Sequence, residues 1–280
     1  MSTAIEPLAT ERVAPPPLAG PRHVGLRRVV RQLLPPLAFG VLFLVAWQSF
    51  VRLADVRSFV LPAPSDIWSS AMDARGQITS AAGHSGLNAL VGLLIGLVAG
   101  VLLAAIAARL PVLGMAITPL VAALAAIPIV AVAPLLNNMY SPLSPLPRRE
   151  VVAISAFVPI FMNVFRGLAR LSTVHRELMQ SYAASQTAVL RTIRIPSALP
   201  YFFTGLRVAS SLAVIAAVVS EYFGGLQDGL GSRITDSVGA SDYPGAWASV
   251  LGAVVLGLLF YLGAALLERV VLGPRAAPVT

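Results

Sequence analysis

The sequence contains no cysteine and no lysine, and only 11% of its 280 residues are charged. Without cysteine, the chain has no disulfide and no thiolate ligand for a metal. Without lysine, it cannot build a phosphate-binding P-loop, because the lysine of that motif reaches the β- and γ-phosphates of the nucleotide. The histidines, His23, His84 and His175, are isolated, and no HExxH motif is present, so we expect no metal site. The sequence predicts no catalytic residue and no cofactor, and ATP-driven work would require a separate ATP-binding subunit.

Apolar residues are what the chain has in excess. They make up 57% of the sequence, and the mean hydropathy of +0.81 lies far outside the range of soluble globular proteins. Six apolar runs are long enough to cross a bilayer, which predicts an all-α polytopic membrane protein with six transmembrane helices. These runs lie at about 33–51, 86–108, 112–136, 150–168, 201–219 and 246–267.

The basic residues indicate the orientation of these spans. A net charge of +8 could indicate nucleic-acid binding, but in so apolar a chain the positive-inside rule explains it better, and we expect no nucleic-acid partner. In the six-span arrangement most arginines fall on the side of the N-terminus, which places both termini in the cytoplasm. Residues 1–25 are rich in alanine and proline and predict a disordered tail before one membrane domain, 26–275.

Two spans carry small or helix-breaking residues at regular positions. Gly92, Gly96 and Gly100 recur every fourth residue and predict close packing of the second span against another helix. The third span contains three prolines and should be kinked or broken. Pro128 lies in its middle and is a candidate wall of a solute pathway, the alternative being a kink that packing absorbs.

Polar residues inside the spans are few. Arg207 lies within the fifth span, where it either snorkels to the surface or lines a pathway. Glu221 lies at the outer end of that span and is expected to be an interfacial charge, or otherwise a gate or partner contact. Asn163 is expected to bond to a neighbouring helix, or otherwise to a ligand.

A polar stretch, 177–200, separates the fourth and fifth apolar runs and reads ELMQSYAASQTAVLRTIRIPSALP. Ser172 is placed to cap a first short helix, in which Val174, Leu178 and Tyr182 recur at every fourth residue. Ser185 is placed to cap a second, which prolines should stop. Two short amphipathic helices at a membrane surface are typical of a docking element for a soluble partner.

This stretch resembles the EAA loop of ABC-importer permeases, a pattern of E-A-A-x-x-x-G-A-S followed by a basic-apolar helix and L-P. Glu177 matches the acid, Ala184 and Ser185 match the residues after the glycine, and Pro196 and Pro200 match the closing prolines. Leu178 and Met179 replace the two alanines, and Ala183 replaces the glycine, so we expect the turn here to remain in the right-handed region. The combination of Glu221 with Gly229-Leu230-Gly231 also recurs in that family.

The resemblance implies the type I ABC-importer permease (MetI-like) fold, in the branch of nitrate, sulfonate, taurine and pyrimidine-precursor permeases. It implies that two copies, as a homodimer in a bacterial inner membrane, form the pathway for a small solute. An ABC ATPase would dock on the loop at 169–200 and bind the ATP, and an external binding protein would deliver the solute. An ATP-independent channel or secondary transporter is the alternative, and it would need more intramembrane ionisable residues and an inverted repeat. A membrane scaffold would not need a proline-broken span or a structured loop.

Overall fold

The computed structural model describes residues 26–141, 143–169 and 173–273, and the secondary structure in these ranges is helical, with no strand. Residues 1–25 and Ser172, for which a disordered tail and a helix cap are predicted, lie outside them. The helices are α1 (Leu26–Leu53), α2 (Pro64–Asp73), α3 (Arg75–Arg109), α4 (Pro111–Leu124), α5 (Ile129–Met139), α6 (Leu146–Ala169), α7 (Thr173–Ser181), α8 (Gln186–Val189), a π-helical turn (Leu190–Arg194), α9 (Ile195–Tyr222), α10 (Leu230–Gly239) and α11 (Tyr243–Leu272).

Five helical segments in the described part of the chain are long and apolar enough to cross a membrane. A sixth is obtained if α4 and α5 count as one span, and these two helices meet at an angle of 89°. The break that the prolines predict is therefore present. It ends at Pro128, which is the N-cap residue of α5 and has an extended backbone. A proline also disfavours the α region for the residue before it, here Ile127, so the helix is interrupted at this point. Pro119 and Pro134 lie within α4 and α5 without ending them.

Contacts divide the chain between Ser49 and Phe50 into two compact units. The larger unit, from Phe50 onward, has its core among α3, α6 and α9. Buried alanines of α9 and the aromatic and branched side chains of α6 fill this core, with Ala213 and Phe161 both fully buried. Helix α11 exposes many large apolar side chains, as a helix facing lipid does.

The glycines of α3 set its distance from α6. A Cβ added at Gly96 would lie 2.5 Å from the carbonyl oxygen of Ala153, and one at Gly92 would lie 2.5 Å from Cβ of Val152. At Gly100 the carbonyl oxygen of Phe157 is 3.1 Å from such a Cβ. The predicted close packing is confirmed, because the two backbones approach to a distance that excludes a side chain.

Candidate functional site

The polar stretch folds as helix, tight turn and helix. At the end of α7 the N–H of Ala184 donates to the carbonyl of Met179 at 3.0 Å, and the N–H of Ala183 donates to that of Gln180 at 2.9 Å. These two bonds form a Schellman motif, which requires a left-handed residue at the position of Ala183. Ala183 has φ of +48°, so the expectation of a right-handed turn is wrong. Alanine here accepts the strain that a glycine avoids, about 1–2 kcal/mol.

The second helix of the stretch begins at the predicted cap. Oγ of Ser185 accepts a hydrogen bond from the N–H of Ala188 at 3.2 Å, and the backbone of Ser185 is extended, as an N-cap requires. The prediction for Ser185 is confirmed. Three consecutive residues therefore have separate structural roles. Ala183 forms the left-handed turn, Ala184 donates the Schellman bond to Met179, and Ser185 caps the next helix.

Helix α7 presents an uncovered surface. Glu177 is its fifth residue and is exposed, so it lies beyond the first turn and the helix dipole contributes little to it. Val174, Leu178 and Tyr182 are also exposed, the first and last to 70% and 75%. No described residue of this chain covers the apolar face that their spacing predicts.

The prolines after α8 do not stop the helix, contrary to expectation. Gln186–Tyr222 is one helical run of 37 residues, formed by α8, the π-helical turn and α9. Pro196 lies in the first turn of α9, directly after the π-helical turn, and Pro200 lies inside α9. A proline lacks the N–H for the usual bond to the carbonyl four residues back, and the wider turn before Pro196 accommodates this loss.

A buried charge cluster lies at the other end of α9. Glu221 is only 1% exposed, and its Oε2 accepts hydrogen bonds from Oγ of Ser85 at 2.6 Å and from the N–H of Gly231 at 3.2 Å. The expectation of an interfacial charge at Glu221 is wrong, because α3 and α10 cover it. The contacts join the end of α9 to the start of the following helix and to the first half of α3.

Arg148 completes this cluster, and sequence reasoning missed it. It lies in the first turn of α6, just before the fourth apolar run, and it is fully buried. Its Nη1 donates to Oδ1 of Asp228 at 2.6 Å, its Nη2 donates to the carbonyl of Leu226, and Nη1 lies 3.9 Å from Oε1 of Glu221. The sequence offered one signal for burial of Arg148, namely its position next to an apolar run. A buried arginine needs a carboxylate partner, and the sequence does not show which one.

The glycines of the Gly229-Leu230-Gly231 segment make room for this carboxylate. A Cβ at Gly229 would overlap the carboxyl group of Glu221, and one at Gly231 would overlap the carbonyl of Val218. The N–H of Leu230 donates to Oγ of Ser85 at 2.9 Å. The glutamate and the G-L-G segment occur together because the backbone of this segment lies directly against Glu221 and the end of α9, where only glycine fits at Gly229 and Gly231.

The other polar candidates have partners within the chain. Nε of Arg207 lies 3.2 Å from Oε2 of Glu268 on α11, which identifies an ion pair that the sequence did not reveal. The amide of Asn163 donates to the carbonyl of Pro159 at 2.8 Å, which is a bond within its own helix, and no bond from Asn163 to a neighbouring helix is found in the described part of the chain. Pro128 lies at the break, beside an apolar cavity of about 200 Å³ between α5 and α6. Pathway roles for Pro128, Asn163, Arg207 and Glu221 remain predictions.

Sequence similarity to known transport proteins extends along most of the chain. Residues 92–272 match the family described as binding-protein-dependent transport system inner membrane component. The chain is 29% identical to the formylaminopyrimidine transport permease protein ThiX of Halalkalibacterium halodurans, over 86% of this chain and 96% of that protein. It is 31% identical to the riboflavin transport system permease protein RibX of Chloroflexus aurantiacus, over 82% of this chain and 85% of that protein. It is 28% identical to the bicarbonate transport system permease protein CmpB of Synechocystis sp., over 90% of this chain and 94% of that protein.

The family match covers more than half of the chain, and it includes the loop with Glu177 and Ser185 as well as Glu221 and Arg148 of the buried cluster. The helical architecture with five or six candidate spans agrees with it. The chain therefore belongs to the binding-protein-dependent transport system inner membrane component family, and it is a transmembrane permease of an ABC importer.

Proposed function

We propose that α7, its Schellman turn and α8 form the surface on which a separate ATPase subunit docks, and that this subunit binds the ATP while the permease itself catalyses no reaction. The observation that carries this proposal is the uncovered surface of α7 and the residue after it, where Val174, Leu178 and Tyr182 are exposed near Glu177. Apolar side chains at helical spacing on a short helix are typical of a helix that inserts into a groove of a partner.

The helix that follows is suited to transmit movement. From Gln186 to Tyr222 the run is continuous, so a displacement of α8 would be transmitted along one helix into the membrane span. The far end of that run holds Glu221 and is tied to α3 and α6 through Ser85 and Arg148. The energy that shifts the permease between two states comes from the partners, since only differential binding moves such an equilibrium.

Two copies of the chain, as a homodimer, would enclose the pathway in a bacterial inner membrane, with both termini in the cytoplasm. An extracytoplasmic binding protein would deliver a small solute in the class of sulfonate, nitrate, taurine or a thiamine precursor. Relatives named for formylaminopyrimidine, riboflavin and bicarbonate transport support this range of small solutes. The break between α4 and α5 supports a pathway role for this region, since irregular backbone at membrane depth is tolerated where it lines a cavity.

The docking proposal is tested by Glu177→Lys in permease co-expressed with its ATPase subunit. Asp73→Lys is the matched control, because Asp73 is an exposed acid at the opposite end of the helices. We expect Glu177→Lys to insert and dimerise normally but to lose co-purification with the ATPase, or its solute-stimulated hydrolysis. An unpaired charge in an interface costs about 2–5 kcal/mol, which is a loss of at least tenfold in affinity.

The control should retain both properties near the parent level. If Glu177→Lys transports and hydrolyses like the parent, the docking surface is assigned wrongly. If both variants lose the ATPase equally, the loss comes from net charge and not from the α7 surface, and the proposal also fails.

The orientation is tested by single-cysteine labelling in intact cells, for which the cysteine-free parent is well suited. Ser181→Cys lies on the docking surface and Ser141→Cys in the segment between α5 and α6, and both positions are exposed. We expect an impermeant maleimide to label Ser141→Cys and not Ser181→Cys. Gly229 is unsuitable as an external probe, because any side chain there would overlap Glu221. Labelling of Ser181→Cys from outside would contradict the proposed orientation and place the α7–α8 stretch on the external side.

A further inference from the structure

A groove with an apolar wall and two cationic residues opens at the end of the helices nearest the α7–α8 stretch. It lies between α3, α6, the π-helical turn and α9, and its volume of about 480 Å³ falls in the range of ligand sites, roughly 300–1,000 Å³. Aliphatic and aromatic side chains form most of the wall, among them Leu102, Ile106 and Phe202. The two charged lining residues are Arg109 and Arg194.

These two arginines lack an anionic partner among the described residues. Arg109 is the last residue of α3 and is exposed, while Arg194 is the last residue of the π-helical turn and is partly buried. Nε of Arg194 is buried and has no hydrogen-bond partner in the described part of the chain. The buried Nε atoms of Arg148 and Arg233 also have no hydrogen-bond partner there, but Arg148 is paired with carboxylates, whereas Arg194 combines an unsatisfied N–H with the absence of an anion and a position in the groove. A ligand with an anionic acceptor would satisfy both its charge and its N–H.

We propose that this groove binds an anionic phospholipid, with an acyl chain along the apolar wall and the phosphate between Arg109 and Arg194. Arg109 is the last residue of α3, and Arg194 lies just before the apolar part of the Gln186–Tyr222 run, so both are near the level of the lipid headgroups. Basic pockets between transmembrane helices are suited to acidic headgroups, and the apolar wall gives a chain-bearing ligand an advantage over a free anion. Residues 1–31 of the chain carry five arginines and two glutamates, so their net charge has the same sign as the site and does not suit them to fill it. The inference does not depend on the docking proposal.

The experiment is native mass spectrometry of the purified permease in detergent, with phosphatidylglycerol or phosphatidylcholine of the same acyl chains added. We expect the parent to retain phosphatidylglycerol in preference to phosphatidylcholine. The double variant Arg109→Gln/Arg194→Gln should lose about 25-fold in affinity for phosphatidylglycerol, since each basic residue near a lipid surface contributes about fivefold. Arg191→Gln is the matched control, because Arg191 lies on the same π-helical turn, is exposed and does not line the groove.

A competition arm separates a lipid site from a simple anion site. Inorganic phosphate and glycerophosphoglycerol, which is the headgroup without acyl chains, should fail to displace the lipid at concentrations at which phosphatidylglycerol exchanges. If either displaces it as well as the lipid does, the apolar wall plays no part and the proposal is overturned. Equal retention of the two lipids by the parent, or an equal loss in Arg191→Gln and the double variant, would also overturn it.

Discussion

Replacing Arg148 by leucine tests the buried cluster at the end of α6 and α9. The substitution removes the one positive charge that lies between two carboxylates, at 2.6 Å from Asp228 and 3.9 Å from Glu221. Glu221 then keeps its hydrogen bonds from Ser85 and Gly231 but has no cation within 4 Å among the described residues, and it remains fully enclosed. We expect the segment after α9 to detach from α6, because the bond from Arg148 to the carbonyl of Leu226 is lost as well.

The magnitude follows from the distances and the burial. At 3.9 Å the attraction between Arg148 and Glu221 is about 4 kcal/mol for an effective dielectric constant of 20. Breaking a buried pair by removing one partner typically costs about 3–5 kcal/mol, since the remaining charge stays desolvated. We therefore expect Arg148→Leu to lower the free energy of unfolding by about 3–5 kcal/mol. Arg149→Leu, one residue along, loses only a 3.3 Å bond to Asn88 and should cost about 1 kcal/mol.

The assay is unfolding by sodium dodecyl sulfate in mixed micelles, applied to Arg148→Leu, to Glu221→Gln and to the double variant. Glutamine keeps the shape of Glu221 and removes its charge, so the second substitution should cost less in the presence of the first. A coupling of about 1–3 kcal/mol is expected for two residues in one buried network. Additive costs, within about 0.5 kcal/mol, would refute the assignment of Arg148 and Glu221 to one electrostatic unit.

Two further substitutions test backbone features. Ala183→Gly should stabilise the α7–α8 turn, because it relieves about 1–2 kcal/mol of left-handed strain and loses only about 0.4–1 kcal/mol to chain entropy. Hydrogen exchange at the amide of residue 184 should become slower in this variant and faster in the control, Ala184→Gly. Slower exchange in both variants would contradict the Schellman geometry. Gly96→Ala should lower the free energy of unfolding by about 1–3 kcal/mol through overlap with Ala153, while Gly83→Ala, with open space around it on the same helix, should leave it unchanged or raise it slightly. Equal thermal stability of these two variants would show that α3 and α6 do not pack as closely as described.

The local features of this permease could be read from its sequence. The apolar runs, the break at Pro128, the glycine face of α3 and the cap at Ser185 each depend on residues within one or two turns of each other. Membrane thickness, proline geometry and capping chemistry act at that range, so a linear pattern is sufficient to predict them. The resemblance of the polar stretch to a known loop likewise rests on contiguous residues.

Tertiary structure decided the features that depend on distant partners. Glu221 has the sequence position of an interfacial charge, and only the packing of α3, α6 and α10 around it makes it a buried group bonded to Ser85 and paired with Arg148. The same holds for Arg207 and its partner on α11, Glu268. Burial and pairing arise from segments that are far apart in the chain, and a residue type at a given position does not encode which segment will cover it.

The backbone around Ala183 and Pro196 shows a second limit. Alanine and proline have strong intrinsic preferences, which favour a right-handed turn at the first position and a helix end at the second. The Schellman bonds to Met179 and Gln180 fix the chain direction after α7 and hold Ala183 at φ of +48°. The π-helical turn lets the helix continue through Pro196 into the membrane span. In both places backbone hydrogen bonds between residues a few positions apart outweigh the preference of a single residue, which is about 1–3 kcal/mol, and the preference of one residue type therefore predicts the wrong backbone there.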